Sequence, residues 1–490
     1  EATRQDHAAH RRARQQPIER LARAAIELRR RPIEQQVLKN LGPKKDTLSQ
    51  AEIRRLCREY AEKFISIQRD EFRRLGVFGD WENPYLTMRY AYEAAIVREL
   101  GKFVGAGSVY KGKKPVYWCG SCETALAEAE VEYGDHESPS ISVRFSLPDA
   151  AKVLPSLAGK NTAVVIWTTT PWTLVSNLAV ALHPQLDYVA VDVGNNDVLI
   201  VAEALLGPSL AKFGIKDHRV IEKFKGRKLE GLRARHPFLD RESLVILGEH
   251  VTLDAGTGAV HTAPGHGQED YEVGLKYGLD VYAPVDQKAR FTKEAGAFAG
   301  EQVHKANKGI ITLLKEKNAL LAEEKLVHSY PHCWRCKHPV IFRATEQWFI
   351  SMRTNDLLKR TIERANGVTW VPGWGKDRFL SMVENRPDWC ISRQRLWGVP
   401  ITVFYCKECS NYLATKEILD HVVALVRQYG ADVWFEREAK DLLPPGTVWG
   451  RAASPASYSS IAVILKTTGF AGSGQHAEKV ASPLHGITPP

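Results

Sequence analysis

The chain has 490 residues, 44% hydrophobic and 25% charged, enough for two to four packed domains of ordinary globular composition. Its longest uncharged run, 161–186, is broken by Pro171 and holds five threonines, so no membrane-spanning helix is expected; residues 1–31 carry no apolar segment resembling a secretory signal. The formal net charge is +10, but residues 1–31 supply +5 and residues 449–490 supply +2, leaving +3 for everything between, so the basic balance says little about what the body binds.

In chain order, residues 1–31 are an Arg/Ala/Gln mixture. Ser49 is placed to cap a helix over 51–75, where Ile53, Leu56, Tyr60, Phe64, Ile67 and Phe72 recur at helical spacing. A second helix is expected over 86–105. The texture then changes: short β-branched runs at 141–145, 163–167, 188–193, 198–201, 243–247 and 259–261, punctuated by Gly, Pro, Asn and Asp, read as a strand-rich module with barrel or sandwich character. Helical patterns return over 268–277 and 305–325. Residues 449–490, rich in Ser, Ala, Gly and Pro without periodicity, read as loop or disorder.

Six of the eight cysteines form C-x-x-C pairs: Cys119/Cys122, Cys333/Cys336 and Cys406/Cys409. That spacing suits metal half-sites in a reducing compartment, whereas Cys57 and Cys390 read as small buried residues. The first two pairs bracket the strand-rich module. If they close one tetrahedral sulfur site, the chain leaves and returns at one place, and the module is an insert on a two-stranded stalk clamped by zinc. Two separate hairpin turns with buried cysteines are the other reading.

Several motifs resemble isoleucyl-tRNA synthetase, and they run in register from about residue 32 to 448. They are Gly79-Asp80-Trp81 with Pro84-Tyr85, Trp118-Cys119-x-x-Cys122 with Ala125 to Tyr133, and Trp167-Thr168-Thr169-Thr170-Pro171-Trp172-Thr173-Leu174. Gly256-Thr257-Gly258-Ala259-Val260-His261-Thr262-Ala263-Pro264, Thr345-Glu346-Gln347-Trp348-Phe349 and the run from Trp389 to Gly398 complete the set. The related valyl and leucyl enzymes have an Arg-Pro after two threonines, where this chain has Thr170-Pro171-Trp172.

The resemblance implies a class I synthetase of the α/β class. A Rossmann-type catalytic domain, incomplete here, would be interrupted by a β-rich, barrel-like editing insert on a zinc-bearing stalk. Five segments are expected: residues 1–31, unmatched and basic; 32–140, catalytic part and first stalk strand; 141–325, editing domain; 326–448, second stalk strand and catalytic continuation; 449–490, an unmatched tail. The family is cytoplasmic and monomeric. It joins isoleucine to tRNA(Ile) using ATP and magnesium, then hydrolyses valine attached in error, because one methylene gives a pocket limited discrimination.

Carried onto this chain, the editing residues are Thr168, Thr169, Thr170, Thr173, Asn177, His261 and Asp270. Asp270 would pair with the substrate's α-ammonium, and His261 would shape the pocket that excludes isoleucine. Read without the family, threonines after a strand cap turns, His261 is a structural histidine, and Asp270 is a carboxylate favoured by a helix start. Cys119, Cys122, Cys333 and Cys336 would hold zinc, and Gln394 and Trp397 lie where the family lines its ATP-using site. Residues 1–31 and 449–490 lack the HIGH-type and KMSKS phosphate-binding signatures. Retained editing without amino-acid activation is therefore expected, with a zinc-dependent tRNA-binding module lacking catalysis as the rival.

Overall fold

The structure, a computed structural model, describes residues 33–384, 386–406, 412–445, 447 and 464–466. Residues 1–32, Cys409 and nearly all of 448–490 lie outside the described residues, and so do the expectations placed on them.

Helices α1 (Ile33–Leu41) and α2 (Gln50–Arg74) open the described chain. Ser49 starts α2 as expected: its hydroxyl accepts the Glu52 N–H at 3.3 Å, and the Glu52 carboxylate accepts the Ser49 N–H at 2.7 Å. Helix α3 (Tyr90–Gly105) begins four residues later than its pattern suggested, because Arg89 is extended and its N–H turns back to Leu86 O at 3.1 Å.

Strands β1 (Val109–Cys119) and β2 (Thr124–Leu126) lead into the long β3 (Val131–Ser146). The insert follows with β4 (Asn161–Thr168), β5 (Ala179–Leu182), β6 (Asp187–Asp192), β7 (Asp197–Ala202), α4 (Leu206–Phe213), β8 (Arg219–Lys225), β9 (Arg233–Arg235), β10 (Glu242–Leu247) and β11 (Ala259–Thr262). Helices α5 (Gln268–Lys276) and α6 (Val303–Glu316) precede β12 (Leu320–Cys333) and β13 (Ile341–Ile350). The single helix expected over 305–325 is thus cut short. Asn318 takes a left-handed φ of 52°, turning the chain so that Leu320 begins a strand.

These strands form one mixed sheet of ten, ordered β11-β5-β10-β9-β3-β4-β7-β6-β8, with β12 on the free length of β3. Pairs β5/β10 and β4/β7 are parallel and the other pairs are antiparallel. Strand β4 is buried on both faces: Val164 and Ile166 join the main core, while Ala163 and Val165 pack with Val189, Leu199, Val201 and Leu210. The expected barrel does not close. The sheet's edges are β11 and β8; the loop before β11 bonds instead the neighbouring strands β4 and β7, where Thr257 accepts the Ala202 N–H at 2.9 Å through its carbonyl and donates its hydroxyl to Val165 O at 2.5 Å. Gly258 allows that approach, since it sits at φ +76° and a Cβ there would lie 2.3 Å from Ala202 Cβ.

Strand β12 returns antiparallel along β3, from Leu320 opposite Val143 to Cys333 opposite Val131. Strands β1 and β13 continue that ribbon, from Trp118 opposite Ile341 to Val109 opposite Ile350. The chain therefore leaves and re-enters at one place.

Beyond it lie α7 (Leu357–Asn366), α8 (Gly375–Glu384), β14 (Trp389–Cys390), β15 (Phe404–Cys406), β16 (Tyr412–Leu413), α9 (Lys416–Tyr429), α10 (Val433–Glu436) and β17 (Ile464–Lys466). Pairings here are all antiparallel, so no Rossmann-type parallel sheet is assembled among the described residues. The helices bury their apolar faces in separate small cores instead. One joins Ile33, Val37, Ile53, Cys57 and Leu396; another joins Ala94, Val97, Phe404, Val422 and Trp434. No described helix is long and apolar enough to cross a membrane.

Candidate functional site

Strand β4 ends at Thr168, and Pro171, with its fixed φ, opens a buried 3-10 turn over Pro171–Ser176. The hydroxyls of this corner form a relay. Thr173 Oγ1 donates to Thr170 O at 2.7 Å, which commits its one proton. Thr170 Oγ1 lies 3.2 Å from both Thr173 Oγ1 and Thr168 Oγ1, and Thr168 also accepts the Thr170 N–H at 3.1 Å.

Two residues the sequence did not flag hold the turn from below. Buried His236 donates from Nε2 to Leu174 O at 2.8 Å, while its Nδ1 accepts the Leu239 N–H at 3.0 Å; Arg241 donates to Val175 O at 2.5 Å. Burial pulls the His236 ring down to about 3, which keeps it neutral with that tautomer. From above, Asn307 on α6 accepts the Trp172 N–H at 2.9 Å.

His261 reaches the relay from β11, where it lies opposite Val180 of β5. Its Nε2 is 2.9 Å from Thr173 Oγ1; since that hydroxyl has given its proton to Thr170, Nε2 carries the hydrogen and Nδ1 is a bare acceptor. Nδ1 is buried without a partner among the described residues. Burial, aided by nearby His266, lowers the His261 ring to about 4, so it is neutral at neutral pH.

Two residues beyond His261, the Ala263 N–H donates to Asp270 Oδ2 at 2.8 Å. Asp270 stands in the first turn of α5, and burial raises its carboxyl to about 6 against the opposing pull of that hydrogen bond. Gly267 permits the approach, because a Cβ there would lie 3.0 Å from Asp270 Cγ. The structure thus links Thr168, Thr170, Thr173 and His261 directly, with Asp270 anchored to the same strand end.

Thr169 lies on the outer side of the turn and lines a cavity of about 510 Å³ between α6 and the β3–β12 ribbon. Asn177 is separate from the relay: its amide donates to Ala179 O at 2.8 Å and accepts from Ser243 at 2.5 Å, tying β5 to β10. His266 is a further buried neighbour. It bonds Phe342 O through Nδ1 at 2.8 Å and meets the Trp172 ring edge-on at 4.8 Å.

At the base of the ribbon, the sulfurs of Cys119, Cys122, Cys333 and Cys336 all lie within 4.8 Å of one another. A tetrahedral ion with zinc-length sulfur bonds needs separations of about 3.8 Å, so this donor set fits a closed four-thiolate site. Cys119 and Cys333 are buried and the other two half-buried. Hydrogen bonds among the four sulfurs favour the thiolate at Cys333 and Cys336 and the thiol at Cys119 and Cys122, so a metal would have to displace protons to bind all four.

Gln394 and Trp397 occupy a different region. The Gln394 side chain accepts the Ala125 N–H at 2.9 Å and donates to Gln347 at 3.1 Å, locking β2 to β13. The Trp397 N–H meets Glu34 of α1 at 3.3 Å, and its ring lies beneath the guanidinium groups of Arg54 and Arg58, 5.7 and 5.5 Å from the centroid.

Residues 11–459 match the family described as tRNA synthetases class I (I, L, M and V). Isoleucine–tRNA ligase of Geobacter sulfurreducens is 58% identical over 418 residues, 85% of this chain and 45% of that protein. The Moorella thermoacetica enzyme of the same name is 52% identical over 415 residues, 85% of this chain and 44% of its own length. Among solved structures, a leucyl-tRNA synthetase editing domain from P. knowlesi is 14% identical, covering 38% of this chain and 96% of that one with a TM-score of 0.31. The chain therefore spans somewhat under half the length of the curated relatives it matches. With the family match extending across both its helical parts and its insert, this chain belongs to the class I tRNA synthetases, as its motifs implied.

Proposed function

We propose that this chain carries the hydrolytic editing activity of an isoleucine–tRNA ligase, removing valine from mischarged tRNA(Ile). The observation behind this reading is the joined relay Thr168–Thr170–Thr173–His261, with the buried carboxyl of Asp270 bound to the same strand end. An aminoacyl ester differs from an ordinary ester by its free ammonium, and an ionised Asp270 gives that ammonium a charge-assisted partner. The threonine hydroxyls offer donors and acceptors for the ester carbonyl, the terminal ribose and the attacking water. Water adds to the carbonyl carbon, the ester bond breaks, and the ribose oxygen leaves with a proton. A ring held at about 4 is a poor base at neutral pH, so His261 is assigned to shaping the pocket against isoleucine's extra methylene rather than to proton abstraction.

The four cysteines would hold zinc, which clamps the base of the ribbon and takes no part in hydrolysis. Isoleucine activation with ATP and magnesium, near Gln394 and Trp397, is expected to be absent, because residues 1–31 and 449–490 lack the phosphate-binding signatures. The compartment would be the cytoplasm, where thiolates stay reduced. Hydrolysis of valyl-tRNA(Ile), faster than of isoleucyl-tRNA(Ile), is the expected result. Binding of tRNA without hydrolysis would favour the zinc-dependent binding module instead, and isoleucine-dependent ATP–pyrophosphate exchange would overturn the second half of the proposal.

A further inference from the structure

The two C-x-x-C turns of the four-cysteine cluster are each tied to a different part of the chain. The first, Cys119 to Cys122, lies against the insert. Gly120 approaches the loop over 286–290 so closely that a Cβ there would stand 2.5 Å from Ala289 Cβ. Just before it, Trp118 donates its Nε1–H to Gln287 O at 2.7 Å. Arg343 covers the Trp118 ring, 4.6 Å from its centroid, and donates to Val285 O at 2.7 Å. Val285, Ala289 and Phe291 belong to the main core of the insert, so this turn is held by the insert itself.

The second turn, Cys333 to Cys336, is tied elsewhere. Arg335, inside it, donates from Nη2 to Glu130 Oε1 at 3.0 Å. The other oxygen of that carboxylate accepts Arg393 Nε at 2.8 Å and the Ala127 N–H at 3.0 Å. Arg393 in turn donates from Nη1 to Ser392 O at 2.7 Å and to Cys390 O at 3.0 Å, gathering the start of the 389–398 run. No other carboxylate pairs with Arg335 or Arg393 among the described residues. Glu130 therefore joins a residue of the cysteine turn, 205 positions away, to the 389–398 run, 263 positions away.

Charge gives this bridge a link to the metal. Four thiolates around a doubly charged cation leave a net negative centre. The charges acting on Arg335 include the sulfurs of Cys122 and Cys333 as well as Glu130 and Arg395. Arg335 Nη1, Arg395 Nε and Arg395 Nη2 are buried without a partner among the described residues. Three guanidinium groups thus face one carboxylate, and the positive charge left over stands beside the cysteines. Groups placed around a metal's ligands in this way orient them and tune the affinity of the site. We propose that Glu130 is a positioning residue which, through Arg335 and Arg393, ties metal occupancy of the four cysteines to the order of the 389–398 run. The metal then does more than hold the two ribbon strands together, because it fixes the insert loop and that run to one frame. The inference rests on the zinc reading above and is independent of hydrolysis.

The test uses the full chain, loaded with zinc or stripped by a chelator, with amide hydrogen exchange followed segment by segment. Zinc affinity is read by competition with a chromophoric chelator. Stripping the wild type should speed exchange of 389–398 and of 286–290 by roughly tenfold or more, while β4, in the middle of the insert sheet, stays protected. Glu130→Gln keeps the size of the side chain and removes its charge. It should weaken zinc binding about 10–100-fold and leave 389–398 exchanging equally fast with and without metal. The 286–290 loop, reached through Trp118 and Gly120, should still respond to metal in that variant. Arg393→Gln should also abolish the metal response at 389–398, and it decides the matter if Glu130→Gln gives no cooperative melt. A wild type that binds no zinc overturns the zinc reading and this inference together. Zinc bound, with 389–398 indifferent to its removal, overturns the inference alone, and so does a metal response at 389–398 that survives in both variants. Loss of protection in β4 on stripping overturns it as well, since the metal would then support the whole fold.

Discussion

Replacing Asp270 by Asn removes a charge while keeping shape, and the structure makes opposite forecasts for activity and stability. The Asn side-chain oxygen can still accept the Ala263 N–H that Oδ2 now accepts at 2.8 Å. What disappears is a carboxylate whose burial has raised its pKa from 3.8 to about 6. Two units correspond to about 3 kcal/mol of strain in the ionised folded state. Because the folded pKa is the raised one, that cost is fully present above pH 6, fades as pH falls, and is gone below pH 4. At pH 7.5 the Asn variant should therefore melt higher than the wild type, by roughly 6–12 °C if the insert unfolds as a unit, and the gap should close at pH 4.

Deacylation should move the other way. Truncating one partner of a buried charge pair costs about 2–5 kcal/mol, a loss of roughly thirtyfold to several-thousandfold in rate. The wild-type kcat/KM for valyl-tRNA should fall tenfold per pH unit below 6, and the variant should show no such limb. Melting followed by circular dichroism and deacylation per folded molecule, on both chains, separate the accounts. A carboxylate that merely starts α5 would lose a favourable dipole contact, worth about 0.3–1 kcal/mol, when neutralised. A variant that melts lower at pH 7.5 and hydrolyses at the wild-type rate would refute the assignment of Asp270.

Elemental analysis should find one zinc per chain, falling to none in Cys119→Ser, since three sulfurs of the cluster no longer close the site; two tightly held zinc ions would contradict this. Gly258→Val should destabilise the insert by roughly 2–4 kcal/mol, because its Cβ would lie 2.3 Å from Ala202 Cβ at a φ of +76°; an unchanged melting temperature would show that the loop gives way. Burial holds His261 at about 4 and His236 at about 3, so both folded pKa values lie below the unfolded value near 6.5. Their contribution is complete above pH 6.5 and is lost as pH falls toward 4, and His236→Gln should flatten part of that acid slope in a pH-resolved melt.

The helix at Ser49 was legible because its capping box is local: Ser49 and Glu52 are three residues apart and bond each other. Insert strands such as β4 and β7 were legible for a similar reason, as β-branched runs between turn residues identify themselves. The start of β12 was not: residues 320–325 read as the end of a helix, and a second stalk strand was expected only from 326. Its alternation is interrupted by Glu, His and Lys, and what makes it a strand is thirteen residues of β3, nearly two hundred positions earlier in the chain. The barrel expectation failed for a comparable reason, since strand pattern alone does not say whether β11 and β8, the edges of the sheet, will pair.

The same limit applies at the site. Thr168, Thr170, Thr173 and His261 could be named through motifs, but motifs do not say what fixes them. His236 and Arg241 sit more than sixty residues past the turn they hold, in a stretch with no pattern of its own, and their role exists only because β9 and β10 pass under Pro171–Ser176. Both give the turn donors for carbonyls that would otherwise be buried without partners, a state that costs about 1–3 kcal/mol per group. The threonine corner is therefore rigid before any substrate arrives. Under the proposed editing activity, rigidity would matter because the discrimination required is one methylene, and a pocket that could relax by that amount would admit isoleucine as readily as valine. On that proposal, the selectivity of the threonine peptide would rest as much on the pair beneath it as on the hydroxyls themselves.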